Sequence, residues 1–135
     1  MERLETVLPD TNVILRYLLC DQKDLYQRAN AFFEGVRAGA VQAVILESIL
    51  TECVYVLTKF HKVPRREAAE RLQGILRYKG VCNADREELL DALALFAATN
   101  VDIVDCILRR KADAEGMKAF SFDRDLVAKL PKAAT

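Results

Sequence analysis

A single histidine, His61, and the absence of any Cys-x-x-Cys pair leave this chain poorly equipped for a Cys/His zinc site. The four cysteines, Cys20, Cys53, Cys82 and Cys106, follow no disulfide-framework spacing. Cys53 and Cys106 fall inside apolar helical patterns, which is where buried free thiols belong. No stretch approaches the roughly 20 apolar residues of a membrane helix. The charged opening Met1-Glu2-Arg3-Leu4-Glu5 leads into no long apolar segment of a secretory signal. The expectation is a cytoplasmic protein. There is no excess charge of either sign, because Lys+Arg and Asp+Glu both number 20. Any nucleic-acid surface must therefore be a local patch rather than a property of the whole field. Low-complexity segments, long linkers and internal repeats are also missing, so the 135 residues are expected to form a single domain, 1–135.

What is present is an alternation of short apolar runs with longer helical patterns, the signature of an α/β fold. Thr6-Val7-Leu8 reads as a first strand, ended by Pro9-Asp10. Ile14, Leu15, Leu18 and Leu19 then recur at helical spacing. A second helix is expected over about 23–37, closed by Gly39, and a second strand over 41–46. Ser48 is placed to cap a third helix carrying Leu50, Cys53, Val54 and Leu57. Pro64 suits the first turn of a fourth, with Ala68, Ala69, Leu72, Ile75 and Leu76 inward. Val81-Cys82 is a weak third strand. Asp85 and Asp102 are placed to cap two further helices, the latter with Ile103, Val104, Ile107 and Leu108 inward. Residues 118–122 read as a last strand and 125–130 as a final short helix. The sum is a short parallel sheet of four to five strands between about seven helices.

Four carboxylates stand at punctuation points of this pattern: Asp10, Glu52, Asp105 and Asp123. Asp10 and Asp123 follow strands, which brings both to the carboxyl edge of a parallel sheet, where open α/β sheets hold their sites. Asp105 falls in the first turn of its helix. Each acid also has a plain structural explanation, as a helix cap or a first-turn charge favoured by the helix dipole. Glu52 is the hardest to explain that way, because Leu50, Cys53 and Val54 flank it and suggest partial shelter. Several carboxylates in one pocket repel each other. Mg²⁺ or Mn²⁺, which prefer oxygen ligands, would relieve that repulsion and supply a Lewis acid for phosphoryl chemistry.

These segments resemble a known family. The run Asp10-Thr11-Asn12-Val13-Ile14-Leu15-Arg16-Tyr17-Leu18-Leu19 is similar to the opening motif of PIN-domain ribonucleases, especially the VapC toxins of bacterial toxin–antitoxin pairs. The similarity continues through Thr51-Glu52-Cys53-Val54-Tyr55-Val56-Leu57 and Asp102-Ile103-Val104-Asp105-Cys106-Ile107-Leu108. It closes with Phe120-Ser121-Phe122-Asp123-Arg124-Asp125-Leu126. The resemblance implies a PIN fold and a metal-dependent endoribonuclease that cleaves RNA phosphodiesters with a metal-activated water. It further implies that Asp10, Glu52, Asp105 and Asp123 hold the metal, with Asp102 a possible further ligand. Asn12 would support Asp10 by hydrogen bonding, and Ser121 would help to position metal or water. A homodimer and a cognate antitoxin protein are implied as well. Cys106 replaces the alanine common after the third acid, a departure that touches packing rather than chemistry.

RNA needs a positive approach to an acidic pocket. The candidates are Arg16 above all, then Lys59, Lys62, Arg65, Arg66, Arg109, Arg110 and Lys111, each of which could equally line a solvated helix face. Tyr26, Phe32, Phe33, Tyr55 and Phe60 could line an interface or groove, although core packing is the commoner fate of such rings. The sequence shows no aromatic platform for stacking bases. Two alternatives remain open. One is a haloacid-dehalogenase-type phosphatase, for which Asp10-x-Asn12 lacks the second acid. The other is a non-catalytic interaction domain that keeps the PIN fold.

Overall fold

The computed structural model describes residues 5–122. Asp123, Arg124, Asp125 and the expected final helix lie outside the described residues. The chain begins with strand β1 (Thr6–Val7) and helix α1 (Thr11–Leu19), followed by α2 (Lys23–Ala38) and strand β2 (Gln42–Ala43). Helix α3 (Glu47–Tyr55) continues into a π-helical turn (Val56–Phe60), and α4 (Arg65–Leu76), α5 (Arg86–Ala98) and α6 (Ile103–Ala114) complete the order. No helix among the described residues is long and apolar enough to cross a membrane.

Strands β1 and β2 are parallel, with Thr6 opposite Gln42 and Val7 opposite Ala43. Ala43 also makes a parallel bridge to Val81. The sheet is therefore shorter than the four to five strands expected: two strands and one bridge among the described residues. The shortening of β2 coincides with a contact from a residue 38 positions away. The Asn83 side chain accepts from the Ile45 amide and donates to the Ile45 carbonyl, both at 2.8 Å. A side-chain amide thus stands where a neighbouring strand would bond, and the ladder stops. The expected strand at 118–122 is not formed. Phe120 and Phe122 are 87% and 96% exposed, and their rings meet each other edge-on at 5.7 Å rather than entering the core.

Helical periodicity predicts most buried faces correctly. Ile14 and Leu15 of α1, Phe33 and Val36 of α2, and the Ala68, Ala69, Leu72, Ile75 and Leu76 stripe of α4 are all buried. Burying such side chains contributes about 1.5–3 kcal/mol apiece for the larger ones. Helices α4, α5 and α6 pack in succession, α1 packs on α2, and α3 lies between α1 and the α4–α6 layer. Two expectations need correction. Glu47, not Ser48, begins α3, with Leu46 at the cap position. Val104 and Leu108 of α6 face solvent; the inner face is Ile103, Cys106, Ile107 and Arg110. The third helix runs on through Leu57 as expected, its backbone widening into the π-turn after Tyr55.

Arg65 fixes where α6 begins. Its guanidinium lies 3.6 Å from the Phe96 ring centroid. It donates to the Phe96 and Val101 carbonyls at 2.9 and 2.7 Å. These bonds close the last turn of α5 and the connection into Asp102. An arginine fork over an aromatic face suits this task because it keeps its charge and presents several donors in one plane.

Candidate functional site

Asp10 follows β1 at the carboxyl end of the sheet and caps α1: its Oδ1 accepts from the Val13 amide at 3.0 Å. The cap and the site readings are compatible. A capping bond occupies one lone pair of a carboxylate that offers about four, and it fixes how the acid points. Asn12 is exposed and does not bond to Asp10, so the supporting hydrogen bond expected of it is absent; the Val13 backbone supplies that restraint. Thr11 Oγ1, between them, is buried and finds no hydrogen-bond partner among the described residues. Such an orphaned oxygen calls for a polar ligand or water.

Glu52 lies on α3 and is exposed rather than sheltered. Its neighbour Cys53 is fully buried and registers both acids. Burial pushes the Cys53 thiol up to about 12, with the negative charges of Glu52 and Asp10 adding to the shift. The negative charges of both acids, carried on separate elements, thus act on one buried thiol. Asp102 occupies the cap position of α6 but makes no capping bond. It accepts instead from the Tyr55 hydroxyl at 3.0 Å, which ties α6 to α3. Burial, that bond and the charges of Asp102 and Asp105 together raise the Tyr55 phenol above its ordinary value. Asp105, in the first turn of α6, is half-buried. The structure therefore bonds Asp102 to Tyr55, with the charge of Asp105 also acting on that phenol. Among the described residues, no three His, Cys, Asp or Glu side chains lie close enough to hold a metal ion. Asp123 lies outside the described residues, and Ser121 is half-buried at their end.

Two further acids at this edge are already neutralised. Lys111 donates to Glu47 and Asp85, each at 2.9 Å. Burial opposes the charge on Asp85, but hydrogen bonds from Asn83 and Lys111, with the charge of Lys111, outweigh it and hold the carboxyl below its usual range. Glu47 and then Asp85 raise Lys111 above its ordinary value. Sequence reading missed this triad; its members sit 26 or more positions from Lys111, and no local pattern signals such a contact.

An open cleft of about 820 Å³ lies beside Asp10, lined among others by Leu8, Pro9, Asn12, Arg16 and Arg28. Arg16 is largely enclosed and paired with Asp21 at 3.0 Å. The other expected cations sort clearly. Arg65 serves the backbone, Arg109 and Arg110 pair with Asp113, and Lys111 belongs to the triad. Arg28, which the sequence does not single out, opens onto the same cleft as Asp10.

The donor chemistry fits a hard divalent cation: carboxylate oxygens, no histidine, and thiols held protonated by burial. An α/β frame that presents acids at the carboxyl end of a parallel sheet defines a class of sites suited to polar or phosphate-bearing ligands. The chain belongs to the PIN domain family, whose model matches residues 7–132. No curated protein and no solved structure matches it. PIN domains are typically nucleases and generally use divalent metals.

Proposed function

We propose that the chain is a metal-dependent endoribonuclease, the toxin of a toxin–antitoxin pair, working as a homodimer restrained by a cognate antitoxin. The observation that carries the catalytic part is Asp10, held by the Val13 amide at the carboxyl end of the sheet and opening onto a cleft, with Asp102 joined to the helix of Glu52 through Tyr55. Asp10, Glu52 and Asp105, together with Asp123, are the residues that would hold Mg²⁺ or Mn²⁺. The cation, when bound, supplies Lewis acidity toward a phosphodiester. The protein's own part is orientation. The Val13 amide holds Asp10, and Tyr55 holds the start of α6. Arg28 offers positive charge along the cleft beside Asp10, where Arg16 is already paired with Asp21, so that a phosphate backbone would be drawn toward the acids.

The test is cleavage of RNA by the purified chain with Mg²⁺ or Mn²⁺. The proposal expects cleavage that stops on chelation and is absent from Asp10→Asn. Hydrolysis of a small phosphate monoester without RNA cleavage would favour a phosphatase. No cleavage together with no calorimetric metal binding would favour a non-catalytic domain. The toxin assignment rests on the opening motif Asp10-Thr11-Asn12 and its order with the later acids. Its own test is co-purification of the chain with a small protein encoded beside it.

A further inference from the structure

The helix that carries Glu52 does not stop at Tyr55. It widens through the π-turn, where the His61 amide bonds the Val56 carbonyl at 3.1 Å. Leu57 is fully buried, and the Thr58 hydroxyl bonds back to the Val54 carbonyl at 2.7 Å, so the turn is anchored to the core. Its tip is not. Phe60 is 79% exposed, and the His61 ring meets it edge-on at 5.1 Å. Lys59 and Lys62 flank the ring, and Lys62 adopts a left-handed conformation (φ 57°) that few non-glycine residues take. π-turns and such backbone outliers concentrate at functional sites.

Positive charge at this tip is not offset by neighbouring acids. Residues 53–66 contain no aspartate or glutamate. Among the described residues, Lys59, Lys62 and Arg66 make no ion pair, whereas Arg16, Arg37, Arg71, Arg109, Arg110 and Lys111 all do. One large exposed ring among unneutralised cations is a poor protein interface, since interface cores are depleted of charge. It suits a ligand that carries a π-face and an anionic backbone together.

We propose that Lys59, Phe60 and Lys62 form a platform for single-stranded RNA, with Phe60 stacking a base and the lysines holding adjacent phosphates. The proposal rests on the ribonuclease reading and extends it to where the strand runs. Lys59 follows Glu52 by seven residues on the same continuous helical segment, and both are exposed. Between the platform and the acids lies a 370 Å³ pocket lined by Tyr55, Lys59, Arg65, Asn100 and Asp102. It connects Lys59, beside Phe60 in sequence, with Asp102.

The experiment is fluorescence anisotropy of the full chain with a labelled mixed-sequence oligoribonucleotide in EDTA, which reads binding without cleavage. Phe60→Ala should weaken binding about five-fold or more, as expected for one lost stack, while Phe60→Trp stays near wild type. The double change Lys59→Gln with Lys62→Gln should make the salt dependence shallower by about 0.7 per lysine. Thermal melts of these exposed-site variants should match wild type. Wild-type affinity in Phe60→Ala, or no RNA binding by wild type, overturns the platform. So does an altered sedimentation of Phe60→Ala with RNA affinity intact, which would make the tip a protein interface. RNA binding by a wild-type chain that never cleaves with metal would sink the nuclease reading and leave the platform standing.

Discussion

The Tyr55 hydroxyl donates to the Asp102 carboxylate at 3.0 Å, joining α3 to the start of α6 across 47 positions of sequence. It couples the helix bearing Glu52 to the helix bearing Asp105. Removing it should matter more for geometry than for stability. Tyr55→Phe is expected to cost at most about 1 kcal/mol in unfolding, since the pair is exposed. RNA cleavage should drop by about ten-fold, as is usual when an outer partner that aligns the elements of a metal site is lost, with KM nearly constant. Unchanged kcat would show that the two helices keep their alignment without this bond.

Lys111 should make stability depend on pH in a defined direction. Asp85 has a folded pKa below its ordinary value, so its contribution is present above that ordinary value and is lost as pH falls through the folded one. Lys111→Met removes the cation that favours the charged form. The stability advantage of wild type over Lys111→Met should therefore be present at neutral pH and shrink through the carboxylate range, below about pH 4. The advantage should be modest, about 1 kcal/mol, because the partners are roughly a third exposed or more. Urea unfolding at several pH values measures it, and a constant difference would contradict the assignment.

The helices were legible in the sequence because each buries a stripe at 3.6-residue spacing, as Ala68 to Leu76 does. What failed depended on distant partners. The second strand was cut short by Asn83, 38 positions from Ile45. Val104 and Leu108 fit an inward stripe, but the inner face of α6 turned toward Arg110 instead. For the site, Asp10 as both cap and candidate ligand was readable from its place after a strand. The roles of Tyr55 and Lys111 were not, since neither has a local signature. Phe60 was readable only as one of several interface or groove candidates; its 79% exposure is what the structure adds.

Two glycines give opposite predictions. A Cβ on Gly80 would collide with the Val41 carbonyl oxygen and the Val36 backbone, where the Gly80 amide bonds the Val36 carbonyl at 2.8 Å. Gly80→Ala should cost at least about 2 kcal/mol, as overpacking against rigid backbone does. Gly74 lies inside α4 with open space around it. Gly74→Ala should stabilise by about 0.5–1 kcal/mol, because alanine loses less backbone entropy in a helix. Thermal or urea unfolding compares both with wild type, and a stable Gly80→Ala would refute the close approach.

The most direct test of the metal-site account is Asp10→Asn, because asparagine caps a helix about as well as aspartate while removing the charge. The account predicts a melting temperature close to wild type, loss of Mn²⁺ binding by calorimetry, and no RNA cleavage above background. Cleavage within a few-fold of wild type, in a folded Asp10→Asn chain, would contradict the placement of Asp10 at the centre of the site.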